Sequence, residues 1–200
     1  MKLADICTIQ TGYTARTRLE SGDEGIPVIQ LKDVPAEGEI QSCHLIRMNL
    51  PESKDRYQVG TGDLVFRSRG ERTTACMLSM DFEGFAIAVL PLVIIRPKRD
   101  LVAPEYLVWA INQPDAQRQL QADARGTNLR MIPRSSLDQL EIDLPDLKTQ
   151  MSIVKVDDLA RREMALSIKL AQNRAKLLAL ALHERASQIH PIPIDKGHHA

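Results

Sequence analysis

The chain has 200 residues, 44% of them hydrophobic, which is enough for one good core or one core with an appended element. Lysine plus arginine, 26, equals aspartate plus glutamate, 26, so no global positive field draws the chain to nucleic acid or to an anionic membrane. Cys7, Cys43 and Cys76 are far apart and never in a Cys-x-x-Cys arrangement, which argues against a disulfide framework or a structural zinc site and fits a reducing cytoplasm.

In chain order, the opening MKLADICTIQ lacks the apolar run of a signal peptide, and no later run approaches the roughly 20 apolar residues of a membrane span. From Met1 to about Asp146, short Val- and Ile-rich runs alternate with Gly, Pro, Asn or Asp. The runs IPVIQL, DLVF, GFAIAVLPLVII and LEIDLP predict strands. One helix interrupts them: in APEYLVWAINQP, Pro104 suits a first turn, Pro114 is a stop, and Leu107, Val108 and Ile111 form a buried face. Mixed α+β is the expected class.

After Pro145 the texture changes. Gly and Pro vanish from Asp146 to Ile189, and Ala, Leu, Lys, Arg, Glu and Gln dominate. This predicts one helix of roughly 40 residues, about 60 Å long. A heptad seam runs through Val156, Leu159, Glu163, Leu166, Leu170, Asn173, Leu177, Leu180 and Glu184, with Asn173 as a polar device for register and partner number. Such a helix greatly exceeds the roughly 13 to 15 Å radius of gyration expected of the preceding residues, so a coiled-coil-like pairing is expected rather than a fold back onto the domain. The expected organisation is residues 1–146, then a pairing helix over 147–190, then a disordered tail over 191–200. His198 and His199 in that tail are not read as metal ligands.

Positive charge gathers in local clusters. The first, in DLVFRSRGERTTACML, holds Arg67, Arg69 and Arg72 around Gly70, and the second, ARGTNLRMIPRSS, holds Arg125, Thr127, Asn128, Arg130 and Arg134. A third and weaker one, TGYTARTR, holds Arg16 and Arg18. Arg and Thr beside Gly on loops suit duplex DNA, because guanidinium forks bridge phosphates or guanine edges, hydroxyls reach phosphates, and Gly admits close backbone approach. Arg67, Arg69, Arg125, Asn128 and Arg130 are the candidates for reading bases; Arg16, Arg18, Lys32, Arg72 and Arg134 are the candidates for phosphate. The competing reading is a solvated surface paired with neighbours such as Glu71.

Enzyme signatures are lacking: no Walker loop, no His-Glu-x-x-His and no Gly-x-Ser-x-Gly occur. Asp143 and Asp146 near Lys148 superficially suggest a metal-dependent nuclease, but acids before a helix start are more simply caps. Tyr13, Tyr57 and Tyr106 are too scattered for a base-stacking platform.

The order KLADICTIQTG, IPVIQLKDV, GTGDLVFRSRG, APEYLVWAIN, GTNLRMIPRSSLDQLEIDLPDLKTQMSIV and a Leu-rich helix resembles one half of the DNA specificity subunit of type I restriction-modification systems. The resemblance covers nearly all of Met1 to Ile189; its most specific piece runs from Gly126 to Gln150. It implies a non-catalytic, cytoplasmic subunit in which a target recognition domain docks on duplex DNA. A spacer helix sets the distance between two such domains and gives methyltransferase subunits a surface to hold. S-adenosylmethionine would belong to that methyltransferase, and no cofactor is expected in this chain. Members of the family usually carry two recognition domains and two helices, so the implied assembly is a homodimer reading a bipartite palindrome, with a restriction subunit in a complete system. A helical adaptor or antirestriction protein that does not read DNA is the alternative.

Overall fold

The computed structural model describes residues 1–14, 20–36, 38–49, 55–70, 73–79, 81–124 and 131–188. The elements are α1 (Leu3–Ile6), β1 (Cys7–Thr11), β2 (Glu20–Ile29), β3 (Ile46–Asn49), β4 (Gln58–Val59), β5 (Leu64–Arg67), β6 (Thr74–Met77), β7 (Ala86–Ala88) and β8 (Leu92–Pro97), followed by α2 (Pro104–Asn112), α3 (Pro114–Ala122), α4 (Arg134–Gln139) and α5 (Leu147–Gln188). They fall into two compact units, Met1–Val154 and Lys155–Ala200. The class is α+β with mixed sheets and a long C-terminal helix.

Within the first unit, one sheet has the order β1-β8-β5-β6 and a second the order β3-β2-β7-β4. The first is antiparallel throughout. In the second, β2 runs parallel to β7 at Val28 and Ile29 while its other pairings are antiparallel. The central strands are apolar on both faces because both faces are covered. Leu64, Phe66, Ala75, Met77, Val93 and Ile95 point into a core shared with α1, α2, α3 and α4. The alternate residues Val65, Cys76, Leu78, Leu92 and Ile94 join Ile29, Val59 and Ala88 in a second core. The two-residue period of a strand sorts one run between two cores. Each large side chain fully buried this way contributes about 1.5 to 3 kcal/mol.

Side-chain amides close edges that strands leave open. β6 ends the first sheet, and Asn112 at the end of α2 acts as a substitute strand: Ala75 N donates to Asn112 Oδ1 at 2.9 Å, and Asn112 Nδ2 donates to Ala75 O at 2.8 Å. Gln119 on α3 makes the same pair of bonds with the backbone of Glu141, each 3.1 Å.

Four expectations are corrected. Pro114 does not end the helical region: it opens α3, and only Gln113 is extended, with φ −68 and ψ 150, because a residue before proline avoids the helical region. The buried face of α2 is Tyr106, Leu107, Ala110 and Ile111, with Val108 half-buried. LEIDLP forms no strand: its pairing is a bridge from Glu141 to Lys2, with Leu3 N donating to Leu140 O and Ile142 N to Met1 O. The run GFAIAVLPLVII is not one strand but two, β7 and β8, separated by a turn at 89–91.

The helix start is over-determined. Asp146 caps α5, its Oδ1 accepting from Thr149 N at 3.0 Å and its Oδ2 from Thr149 Oγ1 at 2.8 Å. Gln150 is fully buried and fully used: its Oε1 accepts from Ala103 N at 2.8 Å, and its Nε2 donates to Pro145 O at 2.8 Å and Leu101 O at 3.1 Å. No described helix is long and apolar enough to cross a membrane. The expected tail 191–200 lies outside the described residues.

Candidate nucleic-acid interface

β5 delivers Arg67 to the end of its sheet, and the chain then turns through Ser68, Arg69 and Gly70. Ser68 is buried and its hydroxyl donates to Pro91 O, while its own carbonyl accepts from Ile132 N at 2.8 Å. Arg69 is exposed and forms an antiparallel bridge with Met131. Gly70 sits at φ +119, and a Cβ there would lie 3.1 Å from Arg67 Nη2. Glycine at this position therefore meets two demands, a left-handed backbone and room for the guanidinium folded over the turn. That guanidinium is oriented by its Nε, which donates to Arg69 O at 3.3 Å.

Arg67 shares a concavity of about 480 Å³ with Gln30, Leu31, Lys32, Val89 and Leu90. Lys32 lies on a single 3-10 turn, Leu31–Asp33, closed by reciprocal caps between Gln30 and Asp33. The opposite wall is the turn between β7 and β8. Val89 N donates to Ile29 O at 3.1 Å, Leu90 N to Tyr13 O at 3.0 Å, and Leu92 N to Val89 O at 3.0 Å. Gly12 passes so close to this turn that a Cβ would sit 2.8 Å from Ala88 O and from Val89 C. This turn is a rigid wall, pinned from β2 and from the segment after β1.

Two of the sequence candidates, Lys32 and Arg67, thus line one concavity. Arg69 stands on the next turn, bridged to Met131, a residue of the second arginine cluster; Tyr13, in the third cluster, bonds the wall carrying Leu90. The described parts of all three clusters converge on one region, which no spacing in the chain revealed. Arg134 opens α4, ion-paired with Asp138 at 3.6 Å. Arg16, Arg18, Arg72, Arg125, Thr127, Asn128 and Arg130 lie outside the described residues.

The scattered tyrosines need a correction. Tyr13 and Tyr57 meet edge to face with ring centroids 5.3 Å apart, and Arg56 lies over Tyr57 at 4.6 Å. Only Tyr106 stays apart, in the helical core, its hydroxyl donating to Asp143 O at 2.8 Å and its pKa raised by burial first and by Asp143 second. Asp143 thereby serves through its carbonyl. The Asp146 carboxyl is held below its ordinary 3.8 by the hydrogen bonds from Thr149, in keeping with a cap. No group of three or more His, Cys, Asp or Glu among the described residues is placed to hold a metal ion.

The second unit carries a different surface. From Leu159 to Ser187 every residue of α5 is exposed, including Leu166 at 68% and Leu177 at 66%, and Val156 of the same expected seam is 66% exposed. A second seam was missed in the sequence although its spacing was legible. Met164, Ile168, Ala171, Ala175, Leu178 and Leu182 alternate steps of four and three, about 150° around the helix from the first. Its Met164, Ile168, Leu178 and Leu182 are all at least half exposed.

Among solved structures, the HsdS subunit from Thermoanaerobacter tengcongensis superimposes with a TM-score of 0.66 at 19% identity, covering 99% of this chain and 50% of that one. The chain has the fold of a type I specificity subunit. The specificity-subunit fold recurs in the type I restriction-modification S subunit from M. genitalium, with a TM-score of 0.53 at 12% identity over 92% of this chain and 44% of that one. It recurs again in a chain from work on complex assembly and conformational transition of the type I R-M system, with a TM-score of 0.64 at 19% identity over 90% of this chain and 42% of that one. The chain therefore spans about half the length of the specificity-subunit chains it matches. No family model and no curated protein matches it.

Proposed function

We propose that this chain is a non-catalytic specificity subunit that binds duplex DNA through the Lys32, Arg67 and Arg69 face and directs methyltransferase subunits, and in a complete system a restriction subunit, to a bipartite site. The observation that carries this reading is a concavity of a specificity-subunit fold lined by Lys32 and Arg67, with Arg69 exposed on the adjoining turn. The Arg67 guanidinium is oriented by its bond to Arg69 O before DNA arrives, and Arg69 stands exposed on the same turn. Guanidinium forks so held suit guanine edges, while Lys32 suits phosphate as a point charge. The remaining candidates, Arg16, Arg18, Arg72, Arg125, Thr127, Asn128, Arg130 and Arg134, are assigned to the same face by sequence alone. Residues 1–146 are the recognition domain in this proposal, and residues 147–190 the spacer helix.

The exposed seams support the assembly. The Val156 to Leu180 seam pairs with the same helix of a second copy, which places two recognition domains symmetrically. The Met164 to Leu182 seam on the far side is left for methyltransferase helices, so one helix serves two partners at once. S-adenosylmethionine belongs to the methyltransferase, and the setting is the cytoplasm.

Selection of bound sequences from random duplex DNA, with and without a methyltransferase partner and at fixed moderate salt, tests the proposal. Enrichment of an interrupted palindrome supports it and yields half-site and spacer together. No enrichment in either mixture, with helix-mediated complexes intact, favours the helical adaptor instead.

A further inference from the structure

Leu90 occupies an unusual position. It is 43% exposed, yet its backbone is bonded to Tyr13 O and the preceding Val89 is bonded to Ile29 O, so the exposure belongs to a fixed turn rather than to a loose loop. It lines the same concavity as Leu31, Lys32 and Arg67, an apolar pair sharing one surface with two cations. Burial beside two cations is an uncomfortable setting for an apolar protein partner. Duplex DNA suits it better: phosphates answer the cations, and in the major groove the apolar group on offer is the C5-methyl of thymine.

We infer that Leu90, backed by Leu31, reads the C5-methyl of a thymine whose neighbouring guanine is taken by Arg67, so the half-site contains a thymine–guanine step. This rests on the DNA-reading proposal above and sharpens it. Arg67, held by its Nε to Arg69 O, lines the concavity that Leu90 walls. An arginine presenting its fork to guanine O6 and N7 lies in the groove beside the neighbouring base, where a leucine at the same wall meets a methyl group. Gly12 has a part in this arrangement, since its missing Cβ lets the chain pass beneath the turn that carries Leu90.

The test is the random-duplex selection run on two libraries, one synthesised with thymine and one with uracil, which lacks only the C5-methyl. The full chain, with its methyltransferase partner where binding needs it, is compared with Leu90→Ala. For the selected site, replacing the thymine of the step by uracil is expected to weaken wild-type binding about fourfold, the worth of one buried methyl. Leu90→Ala is expected to bind thymine and uracil sites equally while keeping the rest of the selected sequence, and Leu90→Met to restore part of the difference. A selected site bound equally well with uracil at every position overturns the inference and leaves the DNA-reading proposal standing. Retained thymine preference in Leu90→Ala also overturns it. No selected site with either library overturns both.

Discussion

Leu64 and Leu166 are the same side chain in opposite settings: Leu64 is 0% exposed between a sheet and its helices, whereas Leu166 is 68% exposed on α5. The contrast extends to whole regions. In the unit Met1–Val154 both faces of the central strands are covered, and amides from Asn112, Gln119 and Gln150 satisfy backbone groups that packing would strand. Beyond Lys155 the helix has apolar residues along two seams with nothing from its own unit upon them. One region buries its own apolar faces, while the other leaves two apolar seams exposed, and the difference arises because a lone helix has no second layer to bury against.

The comparison breaks most sharply at Phe66. Phe66→Ala should lose about 3 to 5 kcal/mol of stability at any protein concentration, since it empties a core internal to one unit. Leu170→Ala should change the melting temperature only in proportion to association, visible as a concentration-dependent shift; a concentration-independent loss as large as that of Phe66→Ala would refute the division. Next in size is Gln150→Leu, which strands Ala103 N and the carbonyls of Leu101 and Pro145 and should cost about 2 to 4 kcal/mol in chemical denaturation. For function rather than stability, Arg67→Ala should cost about 1 to 3 kcal/mol of binding to the selected site with the fold unchanged by circular dichroism. An unchanged affinity and salt dependence would remove Arg67 from the interface.

Smaller effects sharpen the same boundary. The folded Asp146 carboxyl titrates below its ordinary 3.8, so its contribution is fully present above that value and is lost as pH falls through the lower folded one. Acid unfolding of Asp146→Asn should accordingly show a shallower pH dependence than the wild type over that window. The smallest effect is chemical. Burial pushes the Cys7 thiol up to about 12 and that of Cys76 up to about 11, while Cys43 is exposed. Iodoacetamide at mildly alkaline pH should add one adduct to the native chain and three after denaturation, read by intact mass. Two rapid native adducts would mean that a core opens.

Much of the architecture is legible in the sequence. The long helix declared itself through the absence of Gly and Pro between Asp146 and Ile189, and α5 is described from Leu147 to Gln188. DLVF and IPVI fell where β5 and β2 stand. The second helix at Pro114 was not seen, because proline serves equally as a stop and as a first turn, and only the neighbouring core decides which. Gln150 was part of the most specific motif, yet nothing local marked it as buried, since its three partners come from Ala103, Leu101 and Pro145. The Met164 seam was overlooked because alanines at 171 and 175 dilute its signal beside the leucines of the first.

Local chemistry in the sequence by itself determined the α+β class, the continuous helix with its capped start, and which segments carry positive charge, because propensity, capping and composition act over a few residues. Only the tertiary structure decided that Lys32, Arg67 and Leu90 share one concavity, that Arg69 bridges Met131, and that Tyr13 meets Tyr57. Those meetings depend on strand order and on turns pinned across two sheets, and contacts between residues tens of positions apart are set by packing the whole core, a property no single stretch contains.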